Sequence, residues 1–336
     1  MKISAKDRAS LISIIERFPT QSIIVMGDLI ADEYIHGEIS RVSREAPVLI
    51  LKQREKKILP GGGANAANNL AELGARVTLA GVVGEDEIGN ALISIFKQKG
   101  VETRWVSRHP EYSTPTKSRV LGGLGHGHMQ QIVRIDREPS APVPPRLRRD
   151  LSRNVLLLLR AASGLLVSDY GFGATNAREL DFMRLRISRS LPVTIDSRHG
   201  LLTYSHVTAA TPNEPELEAA FQKRIGSDLE LLHGLGLKVL TRQSLKALLV
   251  TRGKEGIVLF EPRRAPLHLP IFGSDQVADV TGAGDTVIAV FTLALAAKAS
   301  YAHAAMLANC AGGLVVMKSG TATVSARELT EALRNA

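Results

Sequence analysis

The strongest constraint on this chain is a repeated pattern: short apolar blocks of strand length, each closed by polar or acidic residues. Residues 22–26 end in Gly27-Asp28, residues 164–168 in Asp169-Tyr170-Gly171, and residues 192–195 in Asp196-Ser197-Arg198. Residues 206–210 end in Thr211-Pro212-Asn213-Glu214-Pro215-Glu216, and residues 247–250 in Thr251-Arg252-Gly253. Helix-period segments at 5–18, 87–98, 147–160 and 176–189 lie between such blocks, with further strands at 76–82 and 101–107. Strands alternating with helices predict an α/β fold, a mostly parallel twisted sheet with right-handed crossovers. Ligands of such sheets bind outside the carboxyl ends of the strands, so the closing residues are expected to converge along one rim. Asp28, and Asp32 four residues on, then read as acceptors for sugar hydroxyls or as polar turn residues.

Two segments break this rhythm. Residues 33–58 hold two strand-like runs with no helical pattern between them, and residues 115–136 alternate like a hairpin. Both read as antiparallel excursions from the main sheet. Spacing of two puts Lys117 and Arg119 on one strand face. With Arg134 they suit an anionic substrate, or else a solvated edge. The hairpin tip carries His126 and His128. Two histidines without a third ligand read as solvated tip residues rather than a metal site.

Two glycine-rich stretches open helices. Gly61-Gly62-Gly63-Ala64-Asn65 begins a run of small residues, letting the helix start sit close to a ligand that Asn65 can donate to or accept from. Asp279-Val280-Thr281-Gly282-Ala283-Gly284-Asp285-Thr286 precedes an apolar helical run over 287–297. Gly282, Ala283 and Gly284 then form a loop at a helix N-terminus, whose unpaired amides and dipole favour an anion. Asp285 in the first turn would face that anion. Amides that stabilise phosphate charge beside a carboxylate that takes a hydroxyl proton suit phosphoryl transfer. The competing reading is a glycine-rich turn with Asp285 as a helix cap.

The 336 residues and 44% hydrophobic content allow one large α/β domain spanning 1–336. No apolar run approaches the ~20 residues of a membrane span, and the N-terminus lacks an apolar signal core, so a cytoplasmic location is expected. Single Cys310 reads as a small buried side chain. The net charge of +9 includes basic clusters at 146–149 and 184–189, but neither is interleaved with aromatics, which make up only 4% of the chain. That argues against a nucleic-acid platform and for solvated helix faces that also attract phosphorylated small molecules.

Together these motifs resemble the ribokinase-like (PfkB) carbohydrate kinase family over about residues 20–330. Gly61 to Asn65, through Gly74 and Gly84, resembles its first signature, and Asp279 to Asp285 its second. Within the family the chain is most similar to kinases of D-glycero-β-D-manno-heptose 7-phosphate, in lipopolysaccharide-core precursor synthesis. That likeness rests on Gly27-Asp28 with Asp32, Ser40 to Pro47, Thr116 to Val120, Gln130 to Asp136, Ser168-Asp169-Tyr170, Asp279 to Ile288 and Thr321 to Ser325. Phe172 stands where those kinases typically carry a lysine, and Asp196-Ser197-Arg198 where they carry D-P-K.

The resemblance implies a three-layer α/β/α fold with a small antiparallel β lid made by 33–58 and 115–136. It implies ATP and Mg2+ as cofactors, with a monovalent cation near Asp279, and a homodimer through the lid. Asp285 would be the catalytic base and Gly282, Ala283 and Gly284 the anion hole. Asn213, Glu214, Pro215 and Glu216 match the family's N-x-x-E element, which positions phosphates and, through water, magnesium. Thr251, Gly253 and Asn309 would border the nucleotide. Asp28, Asp32, Gly62, Asn65 and Asp169 would face the sugar. The implied reaction is phosphorylation of a phosphorylated sugar at its anomeric hydroxyl. Other kinases of this fold, acting on fructose phosphates, ribose or nucleosides, and a non-catalytic sugar- or nucleotide-binding regulator remain alternatives.

Overall fold

A computed structural model describes residues 3–123, 129–273 and 278–336. His126 and His128 therefore lie outside the described residues. Helix α1 (Ala5–Glu16) leads into β1 (Ser22–Val42), and β2 (Leu49–Gly62) returns along it. Then follow α2 (Gly63–Glu72), β3 (Arg76–Gly84), α3 (Glu87–Gln98), β4 (Glu102–His109), β5 (Thr116–Gly123) and β6 (Gln130–Arg137). The next elements are α4 (Pro145–Leu158), β7 (Gly164–Asp169), α5 (Ala177–Arg184), β8 (Val193–Ser197), β9 (Ala209–Ala210), α6 (Glu214–Phe221) and α7 (Leu229–Arg242). The chain closes with β10 (Ala247–Thr251), β11 (Ile257–Phe260), β12 (Leu267–Leu269), α8 (Ala283–Ala296), α9 (Tyr301–Val315) and α10 (Ala326–Arg334).

The main sheet has the order β12-β11-β10-β9-β8-β7-β1-β3-β4. It is parallel except at β11 and β12, which pair antiparallel at one edge. Strand alternation splits the core into two layers. Ile23 and Val25 of β1 pack in a cluster with α1, α2, α8, α9 and α10, while Ile24 and Met26 pack in another with α4, α5 and α7. Helix α8 is apolar on all sides and buried from Asp285 to Ala296, which is why its sequence shows no polar face. Cys310 is buried, and burial pushes its thiol up to about 12.

Several expectations need correction. The runs at 22–26 and 34–39 are one strand, β1. It pairs with β3 and β7 up to Asp28 and with β2 from Leu29 onward. Gly27 is no turn: a Cβ there would stand 1.9 Å from the Ser168 carbonyl oxygen, so glycine marks the close approach of β7. The lid adds a pairing that the sequence did not specify. β1–β2 and β5–β6 are antiparallel, but β1 and β5 leave the main-sheet rim in the same direction and pair parallel. The segment at 206–210 forms only the two-residue β9, α5 stops at Arg184, and α6, α7 and α10 were not anticipated.

Candidate active site

Asp285 lies in the first turn of α8 and is 4% exposed. Its Oδ2 accepts from Asn65 Nδ2 at 3.0 Å and its Oδ1 from the Tyr170 hydroxyl at 3.0 Å. Asn65 is oriented in turn by Asn69, whose Nδ2 donates to the Asn65 side-chain oxygen at 3.1 Å and whose own oxygen accepts from Thr286. Burial raises the Asp285 carboxyl to about 7, against the lowering effect of its two donors, with Asp32 and Glu216 adding like charge. A carboxylate of that kind changes charge near neutral pH and can accept a proton there.

The loop ahead of it is built for close approach. Gly282 has φ +77°, and a Cβ there would meet Asn65 Nδ2 at 2.4 Å. At Gly284 an added Cβ would meet nothing within 4 Å, so it would project into open space. No side chain caps α8. The Ala283 N–H is turned back to the Val280 carbonyl, and the first helical bond runs from Thr286 N–H to the Gly282 carbonyl. The amides of Gly284 and Asp285 in between are the donors such a helix start offers an anion.

Three cavities meet at this loop. A cleft of about 670 Å³ runs from Tyr170, Asp196 and Arg198 past Asn213–Glu216 to Thr251–Glu255 and the 282–285 loop. An apolar slot beside it lies between β10, α8 and α9, with Thr251, Gly253, Ala283, Gly284 and Asn309 on its walls. On the other side a hollow of about 230 Å³ is bounded by Asp32, Gly62, Lys117, Arg119, Arg134 and Arg198, with Tyr170, Gly282 and Asp285 at its floor. The first side suits a flat base with a phosphate chain, and the second a small polar molecule bearing negative charge.

The lid cations are held by acidic neighbours. Arg119 pairs with Asp32 at 2.5 Å, and its guanidinium lies 5.4 Å from the centre of the Tyr34 ring. The other Asp32 oxygen accepts from Thr321 at 2.8 Å. Arg134 and Lys117 both approach Asp136, at 2.8 and 3.7 Å.

Not every expected residue reaches a cavity. Asp28 sits within β1, is fully buried, and accepts from the backbone N–H groups of Tyr170, Phe172 and Ala174 at 2.8–3.0 Å. It clamps the loop after β7 and does not face the sugar-side hollow. Asp169 is likewise taken up, by Ser197, Tyr204 and the Gly171 N–H. Asn213 and Glu216 form a reciprocal capping box on α6, with Pro215 in its first turn. Only Glu216 Oε2 is used there, and Glu216 still lines the cleft. Glu214 pairs with Arg252 at 2.5 Å.

Tyr170, Asp196 and Arg198, given no individual role from the sequence beyond closing β7 and β8, line the cleft. Asp196 is pushed well above the usual carboxylate range by burial and by the charges of Glu216 and Asp285. Their only sequence signal was position after β7 and β8. Among the described residues no group of three or more His, Cys, Asp or Glu is arranged to hold a metal ion, and no helix is long and apolar enough to cross a membrane.

Comparison with known proteins identifies the family and the fold. The profile of the pfkB family of carbohydrate kinases matches residues 21–328. The bifunctional protein HldE of Pelobacter propionicus is 37% identical over 330 residues, covering 97% of this chain and 66% of the relative. HldE of Hahella chejuensis is 40% identical over 319 residues, covering 94% and 64%. The chain thus spans a little under two thirds of the length of these relatives. Among solved structures, Arabidopsis thaliana ribokinase complexed with ribose and ATP superimposes with a TM-score of 0.72 at 21% identity, covering 94% of this chain and 98% of that one. Phosphofructokinase-2 from Escherichia coli, in complex with substrates and products, gives 0.74 at 16% identity with the same coverage. These two establish a shared ribokinase-like fold. The chain belongs to the pfkB family of carbohydrate kinases, phosphotransferases whose acceptor is an alcohol group.

Proposed function

We propose that this protein transfers the γ-phosphoryl group of ATP to the anomeric hydroxyl of D-glycero-β-D-manno-heptose 7-phosphate, giving the 1,7-bisphosphate. The observation that carries the reading is Asp285, buried where the long cleft meets a hollow walled by Lys117, Arg119, Arg134 and Arg198. Three of these cations already face Asp32 or Asp136, and a sugar phosphate in the hollow would compete with those carboxylates for them, an exchange that a neutral sugar would not drive. The 37–40% identity to the two HldE proteins supports a heptose acceptor.

In this reading the base lies in the slot near Asn309 and the phosphates run along the cleft to the 282–284 loop. Asp285 takes the proton of the acceptor hydroxyl as its oxygen bonds to the γ-phosphorus. The bond from that phosphorus to the bridging oxygen breaks, and ADP leaves with the electron pair. The Gly284 and Asp285 amides face the charge gathered on the transferred group. Asp32 borders the sugar, the lid cations hold its phosphate, and Asn65, expected from the sequence to face the sugar, is fully buried and instead holds Asp285 toward it.

Asp196 and Glu216, both raised by burial, share the cleft with the unpartnered Thr211 hydroxyl, an all-oxygen set that fits hydrated Mg2+. Bound there, the ion would neutralise phosphate charge. Asp279 uses its two oxygens on the Thr281 and Gly320 amides, so it would support a monovalent-cation site by fixing those loops. A phosphofructokinase-2 structure of the same fold holds potassium. The lid leaves Val42, Val48 and Ile135 more than half exposed, a surface fit for a homodimer.

The test is an acceptor screen with ATP and mass detection of products, using heptose 7-phosphate, fructose 1- and 6-phosphates, ribose and nucleosides. The proposal expects heptose 1,7-bisphosphate as the dominant product. Preferred phosphorylation of another acceptor would refute the heptose assignment, and binding of ATP and sugar without any product would refute the kinase reading.

A further inference from the structure

We infer that Tyr170 is the positioning residue for phosphoryl transfer: its hydroxyl and Asn65 grip the two oxygens of Asp285, and buried Asp28 holds Tyr170 in place. The inference rests on the reading of Asp285 as the base.

The grip comes from two sides. Asn65 is on α2, behind the lid, and Tyr170 follows β7 across the cleft. With one donor on each oxygen, the carboxylate has one orientation, and its remaining lone pairs are left for a substrate hydroxyl. Of the two donors to Asp285, Tyr170 is the one that lines both the phosphate-side cleft and the sugar-side hollow. Its ring is packed against the turn at Gly62, where an added Cβ would come within 3.1 Å of Tyr170 Cε2. Burial keeps the phenol protonated, so it always donates.

Asp28 supplies the rest of the device. Its Oδ2 accepts from the Tyr170 and Phe172 amides and its Oδ1 from the Ala174 amide. Gly171 and Gly173 in the same loop have φ +86° and +92°. Such a loop has no strand or helix ladder to hold it, and the buried carboxylate takes that part. Asp28 on β1, the loop after β7 and Asp285 on α8 thus form one chain of contacts. A sugar-binding role for Asp28 cannot explain three backbone partners; a positioning role can.

The hydroxyl also opposes the effect of burial on Asp285. The other charges facing this carboxylate are Asp32, Asp196 and Glu216 on the acidic side and Lys117, Arg119, Arg134 and Arg198 on the basic side. Removing the phenol oxygen alone leaves all of these unchanged.

The experiment compares wild type, Tyr170→Phe, Asp28→Asn and Asp285→Asn by kcat, KM for both substrates and the pH profile of kcat/KM, with folding checked by circular dichroism. Tyr170→Phe is expected to lower kcat about tenfold or more while both KM values stay within about threefold. The acid limb of its profile should move to higher pH, because a donor to the carboxylate is gone. Asp28→Asn should share the loss of kcat. Substituting a fluorotyrosine at 170, a stronger donor of nearly the same shape, should move the limb the other way. A Tyr170→Phe enzyme with wild-type kcat, or with lowered kcat and an unmoved acid limb, would overturn the inference while leaving the kinase reading intact. Wild-type turnover by Asp285→Asn would overturn that reading first.

Discussion

Asn65 Nδ2 lies 3.0 Å from Asp285 Oδ2, although 220 residues separate them in sequence. The contact joins the two glycine-rich helix starts, and it is oriented from behind by Asn69, which is fully buried. Asn69→Ala removes that support without touching a cavity wall. It is expected to reduce kcat by roughly two- to tenfold, the worth of one neutral hydrogen bond of about 0.5–1.5 kcal/mol, while KM for ATP changes little. Steady-state kinetics on the purified variant check this.

Raised carboxyls make stability depend on pH with a definite sign. Asp285 is raised from 3.8 to about 7 and Asp28 to about 6, both chiefly by burial. Between about pH 4 and 7 the folded protein therefore binds more protons than the unfolded chain, and stability falls as pH rises through that window. Asp285→Asn should raise Tm at pH 8, through a stability gain bounded at about 4 kcal/mol for a shift of about three pKa units. The gain should shrink toward pH 4. Calorimetric scans of both proteins across that range give the comparison.

The glycines at 282 and 284 predict opposite phenotypes. Gly282→Ala forces a Cβ onto Asn65 at φ +77° and should cost about 1–3 kcal/mol of stability together with activity. Gly284→Ala meets no protein atom, so its Tm should stay near wild type. Its methyl group would stand where a phosphate must approach, so KM for ATP should rise at least about tenfold, or about 1.4 kcal/mol. Paired melting curves and ATP titrations separate the two.

Glu216 holds a helix cap and faces the cleft, and two substitutions divide these roles. Glu216→Gln preserves the capping box but removes the charge; it should keep stability and weaken the dependence of rate on Mg2+. Glu216→Ala should in addition lose about 1 kcal/mol from the unmade cap. Magnesium titrations of rate with parallel denaturant melts are the measurement.

How much of this was legible in the sequence depended on how local the signal was. The parallel sheet, the small-residue helix at 63–72 and the loop ahead of Asp285 follow from strand-length apolar blocks and glycines at helix starts, which are local patterns. Asp28 was misplaced because Gly27-Asp28 looks like the end of a strand. Only the switch of β1 from β3 and β7 to β2 and β5 shows that the chain runs straight on. The two antiparallel lid hairpins were legible, but the parallel pairing of β1 with β5 that joins them was not, since strand direction is a property of partners and not of residues. Asn213 and Glu216 carried two meanings at one spacing, a helix cap and a cleft residue. Tyr170 had no spacing signal at all, because its role arises from a loop folded around a carboxylate 142 residues earlier.

The most direct test of the account is the turnover of Asp285→Asn against wild type, with ATP, Mg2+ and the acceptor found by the screen. General-base help is worth about 10²–10⁴ in rate. The account predicts that the variant folds, binds ATP and loses at least about a hundredfold in kcat. Turnover equal to wild type in a preparation free of contaminating kinase would contradict it.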